Sequence, residues 1–214
     1  MPHAHCLTHI LWIFRYAYAV TFEQTDPLYK LDVSNPHSIV ELAAVEITGF
    51  SQYLHPFDDS EEIILALGQE ADENGRVLGL QISLFDLRAS NINSNSKQLI
   101  KEPIRYNFEI NPDQWSYSDA LWDKNAVRYI NGLLIIPVNM EKVSPDKGYF
   151  NGFKLFSVTE TSITEDAKCS IDFNDFTSTV ENYCGWLPPV SFGSRSIPES
   201  SGRQATHFYP RSVQ

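Results

Sequence analysis

The sequence predicts an all-β fold, and three observations carry that prediction. β-Branched and aromatic residues recur with a period of two. Turn residues cut the chain into short runs. No stretch keeps a convincing helical apolar period.

Taken in order, Tyr16-Ala17-Tyr18-Ala19-Val20-Thr21-Phe22 reads as a strand, and so do Leu28 to Val33, Ile63 to Leu67, Val77 to Leu87, Leu133 to Val138 and Phe153 to Val158. Asp26-Pro27, Ser34-Asn35-Pro36, Asn74-Gly75, Asn131-Gly132 and Ser144-Pro145-Asp146 supply the turns between them. Asn-Gly between apolar runs is a hairpin signal, because both residues tolerate the positive φ of a type I′ turn. The best helix candidate is Ser118 to Tyr129, which Asn125 and two acidic residues weaken.

The chain has 214 residues, 43% of them apolar and 13% aromatic. That is enough to bury a core, in one large domain or two small ones. With 16 basic and 27 acidic residues the formal net charge is −11. Such a surface argues against nucleic acid, whose phosphates need clustered Lys and Arg.

Ile10-Leu11-Trp12-Ile13-Phe14 is five apolar residues long before Arg15 interrupts it. A spanning helix needs about 20. A signal peptide needs an apolar stretch of about 7–15 after a basic start. Here histidines stand in that place, so the run reads as a buried strand behind an untidy leader. No transmembrane segment is expected.

Cys6, Cys169 and Cys184 are too few for a disulfide scaffold and too scattered for a zinc site. Cys169 and Cys184 can bridge if their strands are neighbours; free or buried thiols are the favoured expectation.

An internal repeat organises the strands. Three segments share the shape strand, turn, strand, with an apolar-polar-apolar triplet at the end. Asp32, Asp86 and Ser157 mark equivalent points, spaced by 86 − 32 = 54 and 157 − 86 = 71 residues. The first spacing is close to the ~40–50 residues of a four-stranded propeller blade. The second requires an insertion, for which Glu109 to Asp123 is available. Leu31-Asp32-Val33 followed by Ser34-Asn35-Pro36 has the rhythm of a blade strand.

These residues resemble a known family, the β-propeller domains of secreted or membrane-anchored bacterial and archaeal proteins, distantly related to WD40 repeats. The matching text is the run from Arg15 to Tyr29, then Leu31 to Pro36 and Gly49-Phe50-Ser51-Gln52-Tyr53-Leu54-His55-Pro56. It continues through Gly68 to Arg76, Gly79 to Leu87 and Tyr117-Ser118-Asp119-Ala120-Leu121-Trp122-Asp123. The resemblance covers about residues 15 to 160. It implies an incomplete β-propeller of about three four-stranded antiparallel blades, and an extracytoplasmic or cell-surface setting. It brings no catalytic, cofactor-binding or metal residues with it.

The expected organisation is an atypical leader at 1–14, a partial propeller at 15–184 and a flexible Ser/Gly/Pro-rich tail at 185–214. Six Ser, three Gly and four Pro make 13 of the tail's 30 residues, and three Arg against one Glu give it +2, leaving −13 for the rest. A ring needs about four to eight blades. The expectation is therefore a fragment of a longer propeller, a mis-framed product, or a chain completed by further blades or another protein.

Several constellations invite a chemical reading. Glu70-Ala71-Asp72-Glu73-Asn74-Gly75 is oxygen-rich, but position 12 from Asp72 is Ser83, so the EF-hand pattern fails. Acidic residues at a hairpin tip are usually solvated, and no metal is expected there. His3, His5, Cys6 and His9 have spacings that can converge on copper or zinc, adventitiously in a leader. His37 follows a turn and reads as exposed. His55 is a candidate general base, with a hydrogen-bonded structural role at a blade end the favoured reading. No G-x-S-x-G elbow precedes a helix. Trp115, Tyr117 and Trp122 bunch inside the insertion and are expected to bury one another as a mini-core.

The function expected is a non-catalytic interaction or scaffold domain, whose acidic body favours basic partners or divalent ions. A metal-dependent propeller hydrolase is the second reading; it needs Glu23, Asp26, Glu70 or His55 to converge on the channel. A non-functional truncated product is the third.

Overall fold

A computed structural model describes residues 6–22, 27–45, 49–72, 75–108, 115–141, 148–167 and 169–173. The side chains of residues 6–9 and 22 are outside that description, as is the tail from 185. All described residues belong to one compact unit, Met1–Val180.

The described strands form three antiparallel sheets. Sheet 1 holds β1 (Cys6–Ile13), β2 (Tyr16–Phe22), β3 (Leu28–Asp32) and β4 (Val40–Val45) in that spatial order. Sheet 2 holds β5 (Phe50–Pro56), β6 (Ile63–Ala71), β7 (Val77–Asp86) and β8 (Ile104–Asn107), again in order. Sheet 3 is built on β11 (Leu133–Glu141) and β12 (Tyr149–Thr159). Two short strands, β9 (Ser116–Tyr117) and β10 (Arg128–Ile130), flank β11, and two more, β13 (Ser162–Glu165) and β14 (Ile171–Asp172), flank β12. Each sheet is thus a meander of four strand positions, the incomplete propeller of three blades that the sequence predicts.

The proposed repeat is a repeat in register. Asp32, Asp86 and Ser157 pair with Tyr16, Ile63 and Leu133, which are the first residues of β2, β6 and β11. Two of the three points also share their local chemistry. The Asp32 carboxylate accepts from the Ser34 amide at 3.0 Å and its hydroxyl at 2.6 Å, and the Asp86 carboxylate accepts from the Arg88 amide at 3.1 Å. An acceptor two residues before an amide closes an Asx turn, which ends the strand and releases the chain.

The first strand of sheets 1 and 2 carries a bulge at the same register. It falls opposite Val20 and Thr21 in β2, and opposite Leu67 and Gly68 in β6. In sheet 3 the chain leaves at this place altogether. β10 ends its pairing at Ile135 and β9 takes up again at Asn139, with residues 118–127 looped out between them. Pro137 lies in the gap, where a missing N–H costs no ladder bond to that side. Its carbonyl accepts instead from the Ser118 hydroxyl at 2.5 Å. The extra length is therefore divided: the β7–β8 connection runs over 17 residues (87–103) where the β3–β4 connection has 7 (33–39), and the expected Glu109–Asp123 holds only part of the insertion. The weak helix expected from Ser118 to Tyr129 resolves into two single 3-10 turns, Asp119–Leu121 and Lys124–Ala126, capped by the Ser118 and Asp123 side chains, before β10 begins. Asp123 and Asn125 favour such caps over a helix interior.

Cys6–Ile13, set apart by the sequence as a leader, is strand β1 paired along β2, so a boundary at residue 15 falls inside sheet 1. An edge strand is covered on fewer sides than a central one, so its composition does not announce it. The outer strands β4, β8, β9, β10, β13 and β14 escaped the sequence reading for the same reason. Asn131 (φ 50°) and Gly132 (φ 82°) make the expected type I′ turn between β10 and β11. Gly75 (φ 77°) stands at the β6–β7 hairpin; Asn74 lies outside the described residues.

The sheets stack face to face, with sheet 2 in the middle. Its β6 residues Ile64 and Ala66 face sheet 1, joining Tyr18, Val20, Leu28 and Ala43 in one core. Its Ile63, Leu65 and Leu67 face sheet 3, joining Leu134, Ile136, Val138 and Phe156 in the other. Each seam buries side chains from both sheets, the arrangement expected of blades. Ile92 and Leu99, in the long β7–β8 connection, fold back against the first core.

Candidate interaction surface

The seams themselves carry polar fasteners. Lys30, on β3, points into the first seam and is 1% exposed. Its ammonium donates to Glu62 Oε1 at 2.5 Å and to the Leu87 carbonyl at 2.9 Å, and lies 4.2 Å from the centre of the Tyr16 ring. The Tyr18 hydroxyl donates to the Glu61 carbonyl at 2.5 Å. Burial, and then the Glu62 carboxylate, push that phenol up. Across the second seam, Glu165 accepts from Tyr106 at 2.6 Å, and within sheet 3 it also accepts from Lys154 at 2.5 Å. Arg88 grips Asp86 with two nitrogens, at 2.9 and 2.7 Å, and reaches Glu160 at 3.2 Å. These hydrogen bonds hold the Asp86 carboxyl below its usual range. The groups border a cleft of about 390 Å³ between sheets 2 and 3, which Lys101, Glu102 and Ile104 also line. Lys30 with Glu62, Arg88 with Glu160 and Tyr106 with Glu165 join neighbouring sheets, while Asp86 with Arg88 and Lys154 with Glu165 brace their own sheet, and all of these are structural uses.

His55 is fastened in the same way. It sits on β5, with its Nδ1 3.0 Å from the Tyr53 hydroxyl and its ring edge-on to Tyr129 at 5.4 Å. Burial lowers its pKa. Burial and then Asp58 raise the Tyr129 phenol to about 12. Asp72 spends Oδ1 on the Arg76 amide at 2.9 Å, closing the hairpin at the oxygen-rich turn. Glu73 and Asn74 lie outside the described residues, as do His3, His5, Glu23, Asp26, His207 and the side chains of Cys6 and His9. His37 is exposed on its turn. Among the described residues no three His, Cys, Asp or Glu side chains converge as a metal site. Cys169 is disulfide-bonded, which corrects the free-thiol expectation; its partner's side chain is outside the described residues.

The aromatic residues of the insertion behave differently from the expectation. Trp122 is 70% exposed, and Trp115 and Tyr117 are exposed as well. The looped-out segment buries Ala120, Leu121 and the Ser118 hydroxyl instead, because its two tight turns point these small groups at β11 and leave the rings outward. Trp115 meets another exposed ring, Tyr149, with centroids 6.3 Å apart.

These rings belong to a larger surface. Tyr117 pairs with Asn139, and Tyr149 with Glu141, so both share the face of β11 that carries Leu133, Ile135 and Pro137. The same face holds Phe153 and Leu155 of β12 and Ile130 of β10, which is 63% exposed. No described strand packs on it. The burial of β11 alternates strictly, with the sheet 2 side buried and this side half open. Sheet 1 has a matching open face, on the side away from sheet 2. It carries Ile10 and Trp12 of β1, both exposed, and Tyr29 and Leu31 of β3, both partly exposed, with Ala17 and Ala19 of β2 between the two strands and buried beneath their side chains. Contiguous apolar surface of this kind marks a contact site. Only the aromatic cluster was visible in the sequence. The two faces become visible once the sheets are known to stack, because period-two strands show two faces without saying which is covered.

Among the described residues no helix is long and apolar enough to cross a membrane. In comparisons with known proteins, no solved structure matches the chain. An uncharacterized protein of Methanocaldococcus jannaschii is 36% identical over 108 residues, 50% of this chain and 15% of that protein. An uncharacterized protein of Archaeoglobus fulgidus is 43% identical over 70 residues, 33% of this chain and 10% of that protein. The chain thus matches a small part of the length of both relatives. The model of the beta propeller domain family matches residues 13–195. Three stacked four-position meanders and that match agree, and the chain belongs to the beta propeller domain family.

Proposed function

We propose that this chain is a non-catalytic interaction and scaffold domain, and that its contact surfaces are the two open ends of the sheet stack. The observation that carries this reading is the face of sheet 3, where Trp115, Tyr117, Tyr149, Ile130 and Ile135 lie together with no described sheet over them. Aromatic side chains of this size are the anchors that protein interfaces favour. The seam charges Lys30, Glu62, Asp86, Arg88, Lys154 and Glu165 are taken up in structural hydrogen bonds, which supports the faces as the surfaces that bind. The partners fitted to such faces are proteins, further propeller blades among them. An extracytoplasmic or cell-surface location accords with a disulfide at Cys169, since disulfides persist in oxidising compartments.

A photo-reactive side chain placed at Tyr149 in producing cells tests the reading. It should crosslink polypeptide, while the same group at His37, on an exposed turn, should not. Absence of any crosslink at Tyr149 overturns the proposal.

A further inference from the structure

The two seams inside the chain share one register, and only the first is filled. The Val33, Leu87 and Val158 amides donate to the Arg15, Glu62 and Gly132 carbonyls at 2.8, 2.8 and 2.7 Å, the same bond one residue beyond each register point. On that register Lys30 of sheet 1 corresponds to Leu84 of sheet 2, because they pair with Tyr18 and Leu65, each the third residue of its strand. Tyr16 corresponds in the same way to Ile63, and Glu62 to Gly132. In the first seam the Lys30 side chain occupies the space between Tyr16, Glu62 and the Leu87 carbonyl. In the second seam Leu84 and Ile63, both shorter, hold the corresponding positions, and Gly132 stands where Glu62 supplied the acceptor. The cleft of about 390 Å³ opens there, lined by Ile63, Leu84 and Asp86. A lysine and a ring fill the first seam at the place where the second is empty.

We propose that this cleft binds a lysine side chain of a partner protein, much as the first seam holds its own lysine. Its walls suit a cation on an aliphatic stem. Ile63 and Leu84, 1% and 3% exposed, and Ile104 form an apolar floor, the kind of surface along which a lysine stem lies. The rim sets Asp86, Glu102 and Glu160 against Arg88 and Lys101, an excess of one negative charge (3 − 2). Arg88 and Asp86 grip each other with two bonds, so neither is the anchor. Glu160 gives only Oε2 to Arg88, at 3.2 Å, and its side chain is 52% exposed. Among the described residues Glu102 takes part in no ion pair. Glu102 precedes β8 and Glu160 follows β12, so one carboxylate reaches the cleft from each sheet and replaces the one that Gly132 lacks. An anionic ligand would meet the excess negative charge. The volume lies at the lower end of the ~300–1,000 Å³ of small-ligand sites, which suits one side chain.

Methyl NMR of the full chain tests the inference, with the isoleucine δ1 groups labelled and Nα-acetyl-lysine methylamide as the probe. The Ile63 and Ile104 signals should move together and saturate. The norleucine derivative, which has the stem without the ammonium, and the glutamate derivative should bind at least about fivefold more weakly. Glu102→Gln combined with Glu160→Gln should weaken the lysine probe about fivefold, the sum expected of two partly exposed ion pairs. Lys101→Gln removes a rim cation and should tighten it. All three positions are exposed, so these changes leave the core intact. Leu84→Lys supplies the side chain from inside and should abolish probe binding; Thr161→Trp, at the exposed mouth, blocks the cleft should that variant misfold. No movement with the lysine probe, equal binding of the norleucine derivative, tighter binding of the glutamate derivative, or indifference to the two carboxylate changes would each overturn the proposal. The cleft lies in a seam and Tyr149 on an outer face, so a failure here leaves the crosslink at Tyr149 standing, and loss of that crosslink leaves the cleft standing.

Discussion

Strands β6 and β11 hold the same place in successive sheets, and their burial differs. Ile63-Ile64-Leu65-Ala66-Leu67 is buried at every position, whereas β11 alternates buried and half-open residues from Leu133 to Glu141. Both strands are apolar in sequence. Position in the stack makes the difference: β6 is covered from both sides and β11 from one. A blade in the middle spends all its hydrophobic surface inside the chain, and a blade at the end keeps half of it for something else. The same side-chain chemistry is core in one case and open surface in the other.

The largest expected effect breaks a covered seam. Lys30 is held by Glu62 and the Leu87 carbonyl with almost no access to water. Lys30→Ala leaves the carboxylate and the carbonyl without that donor, and breaking a buried pair costs about 3–5 kcal/mol. Glu62 keeps some exposure, with 28% of its side chain open to solvent, so the lower end of that range is expected. Lys30→Met combined with Glu62→Gln removes both charges and fills the space, and should recover most of the loss. Urea unfolding of the two variants measures this. Equal losses would show that neither the stem's packing nor the unpaired carboxylate accounts for the effect, and that the bond from Lys30 to the Leu87 carbonyl carries it.

Next in size is the direct contrast of covered and open faces. Ile82, on β7, is fully buried in the second seam, and Ile→Ala at such a site costs about 2–5 kcal/mol. Ile130→Ala, on the open face of sheet 3, should change the stability of the isolated chain by about 0.5 kcal/mol or less. If urea denaturation gives the two variants similar losses, the sheet 3 face is covered within the chain and the contrast fails.

What could be read in the sequence follows the same division. The second and third strands of every sheet were legible, because central strands concentrate β-branched and aromatic residues. The register points Asp32, Asp86 and Ser157 were legible too, since the strand ends repeat. Lys30 was not. A lysine between Tyr29 and Leu31 reads as a solvated position, and only its shared face with Leu28, buried in the first core, hints otherwise. Trp115 and Tyr117 were recognised as a cluster, but their exposure depends on which face of sheet 3 lacks a neighbour. Strand periodicity specifies a two-sided object, and the third dimension, the stacking, decides what each side is for.

The smallest effect concerns His55, which reports on the second seam from inside. Its ring lies between Tyr53 of sheet 2 and Tyr129 of sheet 3, and burial lowers its pKa below the usual 6.5. Below pH 6.5 the unfolded chain binds a proton at this histidine that the folded chain resists. Stability therefore falls as the pH drops from about 6.5 toward the native midpoint, and this contribution is flat below it. Asp32 acts in a separate window. The Ser34 hydroxyl and amide, and then Arg15, hold its carboxyl at about 2, so its contribution persists to lower pH and is lost only as pH falls from the ordinary carboxylate range toward 2. His55→Phe should flatten the upper slope and leave the lower one in place, and an NMR titration of the His55 ring should give a midpoint below 6.5. A midpoint at or above 6.5 would mean that water reaches the ring, and hence that the seam between sheets 2 and 3 opens at that end, which is the property assigned above only to the cleft beside β8 and the two outer faces.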